Sequence, residues 1–81
     1  MNPVKISDKK TIGSIGGQLA INWDGLVLPL GDRSSFDYDV SPMPHAWRIR
    51  ILKKSTDNAI CWFDLEESIA MQVEVLLESI E

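Results

Sequence analysis

The residues that could do covalent chemistry are few, because the chain has one histidine, His45, and one cysteine, Cys61. A catalytic dyad would need an accessible thiol with a lowered pKa. Cys61 instead follows Ile60 and precedes Trp62 in an apolar run, where burial raises the pKa of a thiol and restricts access to its sulfur. His45 follows Pro42 and Pro44, with no serine or cysteine motif around it. We predict a structural cysteine, no catalytic residues and a protein that is not an enzyme.

Two carboxylates and the same histidine raise the question of a metal site. Asp37 and Asp39 occupy alternate positions of a strand-like run, so both side chains project from one side of the strand. With His45 they offer oxygen and nitrogen atoms of the kind that divalent metals bind. Their spacing is loose, however, and no further ligand or rigid loop motif accompanies them. We interpret them as a solvated acidic strand face and predict no metal site.

The segment that contains Gly13, Gly16 and Gly17 could be compared with a phosphate-binding loop. Such a loop needs a helix directly after the glycines, because the free N–H groups at the helix N-terminus bind the phosphate. No Lys-Ser or Lys-Thr pair follows these glycines, and no helical pattern follows them either. We expect a polar, flexible loop over residues 7–17 and no cofactor.

A basic surface is the first of two candidate binding surfaces. Arg48 and Arg50 alternate with apolar residues, so they stand side by side on one face of a strand. With Phe63 opposite Arg50, this face could hold single-stranded nucleic acid by phosphate contact and base stacking. Guanidinium groups that pair with Asp or Glu are the simpler interpretation. The predicted basic hairpin surface comprises Arg48, Arg50, Lys53 and Lys54.

An acidic helix face is the second candidate surface. Residues 64–81 hold six acidic residues and neither Lys nor Arg. Carboxylates near the C-terminal end of a helix oppose its dipole, so helix stability alone does not account for them. They could dock a basic partner or imitate phosphate spacing, although a solvated face is also consistent with the pattern. The predicted acidic face comprises Glu67, Glu74, Glu78 and Glu81.

Length and composition limit the range of architectures. Eighty-one residues with 44% hydrophobic and 25% charged side chains indicate one small globular domain with a two-layer core. The net charge of −4 argues against a dedicated nucleic-acid binder. One cysteine fits a reducing compartment, residues 1–10 lack the apolar run of a signal peptide, and no segment approaches the ~20 apolar residues that span a bilayer. We predict a cytoplasmic protein without a membrane partner.

The last third of the chain organises the predicted fold. Residues 46–54 and 59–63 read as two strands joined by a turn-forming segment, and we expect an even-numbered loop. This register places Ile51 opposite Trp62 and gathers Trp47, Ile49 and Trp62 on the apolar face. Trp23 falls on another predicted apolar face, and we expect at least two of the three tryptophans to pack in the core.

A helix is expected after this hairpin. Asp64 stands at the expected N-cap position, and Glu67 three residues later completes a variant of the capping box. At about 100° per residue the apolar side chains form one stripe that must be buried. The stripe comprises Leu65, Ile69, Ala70, Val73, Leu76, Leu77 and Ile80.

A second hairpin is predicted earlier in the chain. Asp24-Gly25 is a preferred pair for a two-residue turn, and it sets Trp23 against Leu26, with Ile21 against Leu28 and Leu19 against Leu30 further along. Pro29 cannot donate a ladder hydrogen bond, which indicates an edge strand or a position whose N–H would point to solvent.

Three shorter segments complete the chain. Residues 36–40 alternate as a short, solvent-facing strand. The prolines of residues 41–45 predict an irregular crossover. Residues 2–6 predict an edge strand or a tail.

The pieces combine into an α+β fold, with about five mostly antiparallel strands in two hairpins and one C-terminal helix packed on one face. A small curled barrel closed by the helix is the alternative. We expect one domain over residues 1–81. It is divided into a flexible or edge segment (1–17), a hairpin with a short strand and loop (18–45), and a hairpin with the helix (46–81).

The functional hypothesis is a small non-enzymatic protein-binding module, of the class that inhibits or regulates a larger enzyme or nucleic-acid machine. Segregation of charge between the basic hairpin and the acidic helix would orient a protein partner. Two alternatives stay open. One is single-stranded nucleic-acid binding through Arg48 and Arg50, and the other is self-association as a homodimer through an edge strand or through Val75 and Leu77.

Overall fold

The computed structural model describes residues 3–81, so Met1 and Asn2, at the start of the predicted N-terminal strand or tail, lie outside the described residues. Within this range the chain forms seven strands and then one helix. The elements are β1 Val4–Ser7, β2 Lys10–Ile15, β3 Gln18–Trp23, β4 Leu26–Gly31, β5 Phe36–Met43, β6 Ala46–Lys53, β7 Ala59–Leu65 and α1 Glu67–Ser79.

The strands form two antiparallel sheets. The first has the order β1-β2-β3-β4 and the second the order β5-β6-β7, so every neighbour in a sheet is also a neighbour along the chain. The predicted α+β class with antiparallel strands and a C-terminal helix is confirmed. The predicted count of about five strands in one sheet is corrected to seven in two, because β1 and β2 add to the five expected strands. Two segments expected to be irregular belong to strands.

The glycine-rich segment is the first of these. The flexible loop predicted over residues 7–17 is wrong, since β2 occupies most of it and pairs with both β1 and β3. Ile12 is fully buried, and this burial stabilises β2 despite its polar neighbours. Gly16 and Gly17, at φ 60° and 81°, form only the turn to β3. β1 is an edge strand, as expected for this end of the chain.

The proline-rich segment is the second. β5 runs through Pro42 to Met43, and Pro44-His45 is a two-residue turn that sets Met43 opposite Ala46. The predicted crossover is therefore wrong. Pro42 is tolerated because β5 is an edge strand, where a missing N–H leaves no neighbour unpaired.

The Asp24-Gly25 hairpin forms as predicted. Asp24 and Gly25 have φ of 54° and 86°, as a two-residue turn of this type requires, and Trp23 pairs with Leu26. The register shifts near the far end, where Leu19 lies opposite Gly31 rather than Leu30. Pro29 lies on β4, which is an edge strand as predicted.

The β6–β7 hairpin forms, but the predicted register is wrong. Ile51 lies opposite Cys61 and Leu52 opposite Ala59, so Ile60 is the extra residue of a bulge. This one-residue shift reverses the faces of β7. Trp62 lies opposite Arg50 on the exposed face, and the side chain of Phe63 is buried instead.

The helix is confirmed with a different beginning. Its N-cap is Glu66, which makes no side-chain capping bond, whereas Asp64 lies in β7 opposite Arg48. The predicted capping box is therefore absent, because the second sheet extends through Leu65. The helix contacts β1, β2 and β6, so it packs on both sheets. No helix within residues 3–81 is long and apolar enough to cross a lipid bilayer.

One hydrophobic cluster unites the two sheets and the helix. The expectation that two tryptophans pack in this core is wrong, because Trp23 and Trp62 are each 54% exposed and Trp47 is half-buried. The buried cluster consists of Ile12, Leu19, Ile21, Phe36, Ile49, Ile51, Phe63, Leu65, Ala70, Val73, Leu76, Leu77 and Ile80. The helix stripe predicted from the sequence supplies Ala70, Val73, Leu76, Leu77 and Ile80 to this core, with Ile69 packed against it.

Candidate functional site

The two arginines of the basic hairpin are neutralised within the sheet. Arg48 donates from Nε and Nη2 to the Asp64 carboxylate, at 2.8 and 3.0 Å. Arg50 donates to the Asp39 carboxylate in the same bidentate geometry, with Nε 3.0 Å from Oδ1. Hydrogen bonds from the guanidinium groups hold the pKa of Asp39 and of Asp64 below the ordinary range of a carboxyl. The pairing with carboxylates considered in the sequence analysis is what the structure contains.

The two lysines of that surface are separated from the arginines. Lys54 donates to the backbone oxygen of Arg33 at 2.9 Å and lies 4.0 Å from Asp37. Lys53 is exposed and, by the alternation of the strand, projects from the face opposite Arg48 and Arg50. The four predicted residues therefore do not combine into one free basic surface.

An exposed tryptophan joins the arginines on the outer face of the second sheet. The Arg48 guanidinium lies 4.4 Å from the centroid of the Trp62 ring, and Arg50 is the direct cross-strand neighbour of Trp62. We call Asp39, Arg48, Arg50, Trp62 and Asp64 the arginine–tryptophan cluster. Phe63 was predicted to lie beside Arg50, and the bulge at Ile60 places Trp62 there instead.

The acidic helix face lacks cationic partners among residues 3–81. Within residues 3–81, Glu67, Glu74, Glu78 and Glu81 form no ion pair. Glu78 accepts a hydrogen bond from the Tyr38 hydroxyl at 3.4 Å. Burial, together with the charge of the neighbouring glutamates, raises the pKa of Tyr38. The helix thus presents carboxylates that no cation of the described chain neutralises.

The most distinctive surface feature was not predicted from the sequence. An open groove of about 290 Å³ lies between β4, at the edge of the first sheet, and β7, at the edge of the second. We call it the edge groove. It is lined by Lys10, Ile21, Trp23, Leu28, Pro29, Leu30, Ile60, Cys61 and Phe63.

The rim of the edge groove is apolar and exposed. Trp23 is 54%, Leu28 40% and Ile60 45% accessible to solvent. The apolar exposure continues onto the tip of the β3–β4 hairpin, where Leu26 and Val27 also face solvent. Contiguous apolar surface with an exposed tryptophan is typical of protein-contact sites.

Both strands that flank the edge groove carry features that disfavour addition of another strand. Pro29 on β4 has no N–H to offer, and the bulge at Ile60 interrupts the regular ladder of β7. The groove therefore suits insertion of side chains better than extension of either sheet.

Lys10 is the one charged side chain that lines the edge groove. Its Nζ lies 4.3 Å from the centroid of the Trp23 ring and 5.5 Å from that of Phe63. No carboxylate of residues 3–81 pairs with it. Burial raises the pKa of the neighbouring Cys61 thiol to about 11, and the charge of Lys10 acts in the opposite direction.

The other candidate chemical groups lie apart. His45 is exposed in the β5–β6 turn, whereas Cys61 pairs with Ile51, six residues or about 20 Å further along β6. Asp37 lies 3.5 Å from Arg33, and Asp39 binds Arg50. Within the part of the chain that the structure describes, no three His, Cys, Asp or Glu side chains come together as metal ligands.

The β3–β4 side of the edge groove consists of residues that the sequence pattern identified as apolar. The apolar face of the β3–β4 hairpin was recognised, but it was assigned wholly to the core. The available signal was the length of this apolar face, which continues through Trp23 and Leu26 to the hairpin turn. The β7 side of the groove depends on the bulge at Ile60, which no residue pattern in the chain predicts.

Comparison of the chain with protein-family models, with curated proteins and with solved structures gave no match.

Proposed function

We propose that this protein is a non-enzymatic binding module for another protein, and that the edge groove is its docking surface. The observation that carries the proposal is the apolar groove between two sheet edges, with Trp23, Leu28 and Ile60 exposed along its rim. Burying these side chains against a partner would remove apolar surface from water, which is the main favourable term in protein association. Tryptophan is also among the residues that contribute most at interfaces.

The acidic helix face supports the same role. Its glutamates form no ion pairs within residues 3–81, so their field extends into solvent and attracts a basic region of a partner. Such charges mainly accelerate and orient association, whereas the apolar contact supplies affinity. Inhibition or regulation of a larger enzyme or nucleic-acid machine is the class of role that fits a small domain of this kind.

The test is affinity capture followed by reconstitution with the purified partner. Leu28→Ser reduces the apolar rim without touching the core, and Val75→Ser is the matched control on the exposed side of the helix. We expect Leu28→Ser to lower the affinity for the partner by on the order of tenfold. The affinity of Val75→Ser should stay within about twofold of wild type. Glu74→Lys/Glu78→Lys should slow association more than it speeds dissociation. Equal affinity for wild type and Leu28→Ser would contradict the assignment of the groove.

Nucleic-acid binding is the second candidate, and the arginine–tryptophan cluster is the observation in its favour. Trp62 is exposed and could stack on a base, with Arg48 against its ring. The pairing of both arginines with aspartates weakens this candidate, because phosphates would have to displace the carboxylates. Retention of a single-stranded oligonucleotide that is lost in Trp62→Ala and decreases steeply with salt would favour it.

Self-association through the edge groove is a third outcome to test. Leu77, which the sequence suggested as a contact between copies, is fully buried, whereas Val75 is exposed. Sedimentation equilibrium over a hundredfold range of concentration distinguishes a dimer from a monomer. A dimer that Leu28→Ser dissociates would make a second copy of this chain the occupant of the groove.

A further inference from the structure

We infer that the segment of the partner protein that occupies the edge groove presents a carboxylate beside an apolar side chain, and that this carboxylate pairs with Lys10. The inference rests on the proposed function, because it names the chemistry of the partner at the same groove. The inference is based on the position of Lys10, whose charge lies among the apolar side chains that line the edge groove.

Lys10 differs from the other basic residues that are partly buried. Half-buried Arg33 and Arg48 have carboxylate partners in Asp37 and Asp64. Lys10 is also half-buried, yet its contacts within residues 3–81 are the ring faces of Trp23 and Phe63. Among the half-buried cations of the described chain, Lys10 is thus the one that lacks an anionic partner.

Because Lys10 is only half-buried, water can reach this ammonium group and solvate its charge. A wholly apolar segment seated over the groove would displace that water and leave the charge desolvated without compensation, which is strongly unfavourable. A carboxylate at the same place restores the charge balance and accepts charge-assisted hydrogen bonds from Nζ. Cys61 is no substitute, because its raised pKa of about 11 keeps the thiol neutral at physiological pH. Charge complementarity therefore selects an acidic–apolar partner segment at this groove.

The form of the segment follows from the flanking strands. Pro29 and the bulge at Ile60 disfavour pairing of an added strand with β4 or β7. Recognition must then come from side chains, with an apolar residue between Leu28 and Ile60 and an Asp or Glu close to it in sequence. The exposed hairpin tip beyond the groove provides further contact area for a protein rather than for a small molecule.

The experiment is selection of random twelve-residue peptides displayed on phage, carried out in parallel on wild type, Lys10→Met and Lys9→Met. Lys9 is exposed in the neighbouring turn, so Lys9→Met makes the same change in charge away from the groove. We expect wild type and Lys9→Met to enrich peptides with Asp or Glu beside a large apolar residue, and Lys10→Met to lose the acidic preference. The best wild-type peptide should bind Lys10→Met on the order of tenfold more weakly, with affinity partly restored in Lys10→Arg.

A peptide without the carboxylate allows a double-mutant cycle between the peptide and Lys10. Changing its Asp to Asn, or its Glu to Gln, should weaken binding to wild type by a similar factor and have little further effect on Lys10→Met. Amide chemical-shift mapping locates the peptide on the protein, and the amide spectrum of each variant verifies folding. Peptides that map to the groove but bind Lys10→Met as tightly as wild type would overturn this inference and leave the proposed function standing. If no peptide is selected, or if the selected peptides map elsewhere, both fail.

Discussion

The guanidinium of Arg48 lies over the ring of Trp62, 4.4 Å from its centroid. The two residues can meet because the bulge at Ile60 turns Trp62 towards the exposed face of the second sheet. The same shift turns Phe63 inwards, where it packs in the core and also reaches the edge groove. One extra residue in β7 therefore determines which aromatic side chain stabilises the fold and which one is available at the surface.

The first prediction contrasts these two adjacent aromatics. Phe63 is 6% exposed, so Phe63→Ala should lower the free energy of unfolding by about 3–5 kcal/mol through lost burial and cavity formation. Trp62→Ala, at an exposed position, should cost less than about 1 kcal/mol. Urea denaturation of the two variants measures both values. The opposite order would show that the even-numbered register predicted from the sequence is the correct one.

How far the sequence predicts the fold depends on whether a pattern is local. Asp24-Gly25 determines its own turn, and the helix stripe through Val73 and Leu76 repeats at the helical period, so both were predicted correctly. The face on which Trp62 lies depends on a single bulged residue in β7. The alternation of residues along β7 is equally consistent with a loop of even or of odd length before it, and these two loops place Trp62 on opposite faces. Gly13 and Pro42 are unfavourable in isolated strands, and pairing with neighbours overrides this preference.

The candidate site was also predicted only where it depends on a local pattern. The acidic helix face was predicted because helical spacing alone places Glu67, Glu74 and Glu78 on one side. The edge groove was not predicted, because it arises from the separation of the strands into two sheets, whose edges then flank a gap. The position of Lys10 in this groove could not be predicted either, because residues 7–17 were interpreted as a loop and Lys10 was not assigned to a strand.

The second prediction concerns the end of β4. Gly31 has φ of 93°, and a Cβ built there would lie 2.8 Å from the Ser35 side chain. Gly31→Ala should therefore destabilise the protein by about 2–3 kcal/mol, through both backbone strain and a steric clash. Gly25→Ala is the control, since its φ of 86° is similar and no atom lies within 4 Å of the added Cβ.

The comparison by thermal unfolding separates the two causes. Gly25→Ala should cost about 1 kcal/mol from strain alone. Ser35→Gly in the Gly31→Ala background should recover part of the larger loss. Equal effects of the two alanine substitutions would exclude the clash with Ser35.

The third prediction is a pH dependence that comes from Asp39 and Arg50. The hydrogen bonds from Arg50 lower the pKa of Asp39 below the ordinary 3.8, so the folded state favours the ionised carboxyl. For a lowered pKa the stabilisation is complete above the unfolded value and is lost as pH falls through the folded value. The difference in unfolding free energy between wild type and Asp39→Asn should therefore be constant above about pH 5 and decrease as the pH falls through the lowered folded-state pKa of Asp39.

Urea denaturation at a series of pH values measures this difference. Asp8→Asn, in the exposed β1–β2 turn, is the matched control and should change the free energy of unfolding less than Asp39→Asn does, because its contact with Lys5 at 4.0 Å is exposed. A difference between wild type and Asp39→Asn that persists unchanged to the lowest pH would show that the pair contributes nothing through ionisation.

The last prediction concerns the thiol in the edge groove. Burial raises the pKa of Cys61 from 9.0 to about 11, so at pH 8 its thiolate fraction should be about a hundredfold lower than that of the same thiol in the unfolded chain. Alkylation by iodoacetamide should be slower in the native protein by about tenfold or more, because the greater nucleophilicity of a more basic thiolate offsets only part of the lost thiolate fraction. Lys10→Met should slow it further, because the Lys10 charge lowers the thiol pKa. Native and unfolded rates that agree within about threefold, or faster alkylation in Lys10→Met, would show that Cys61 is not shielded between β4 and β7 beside this lysine.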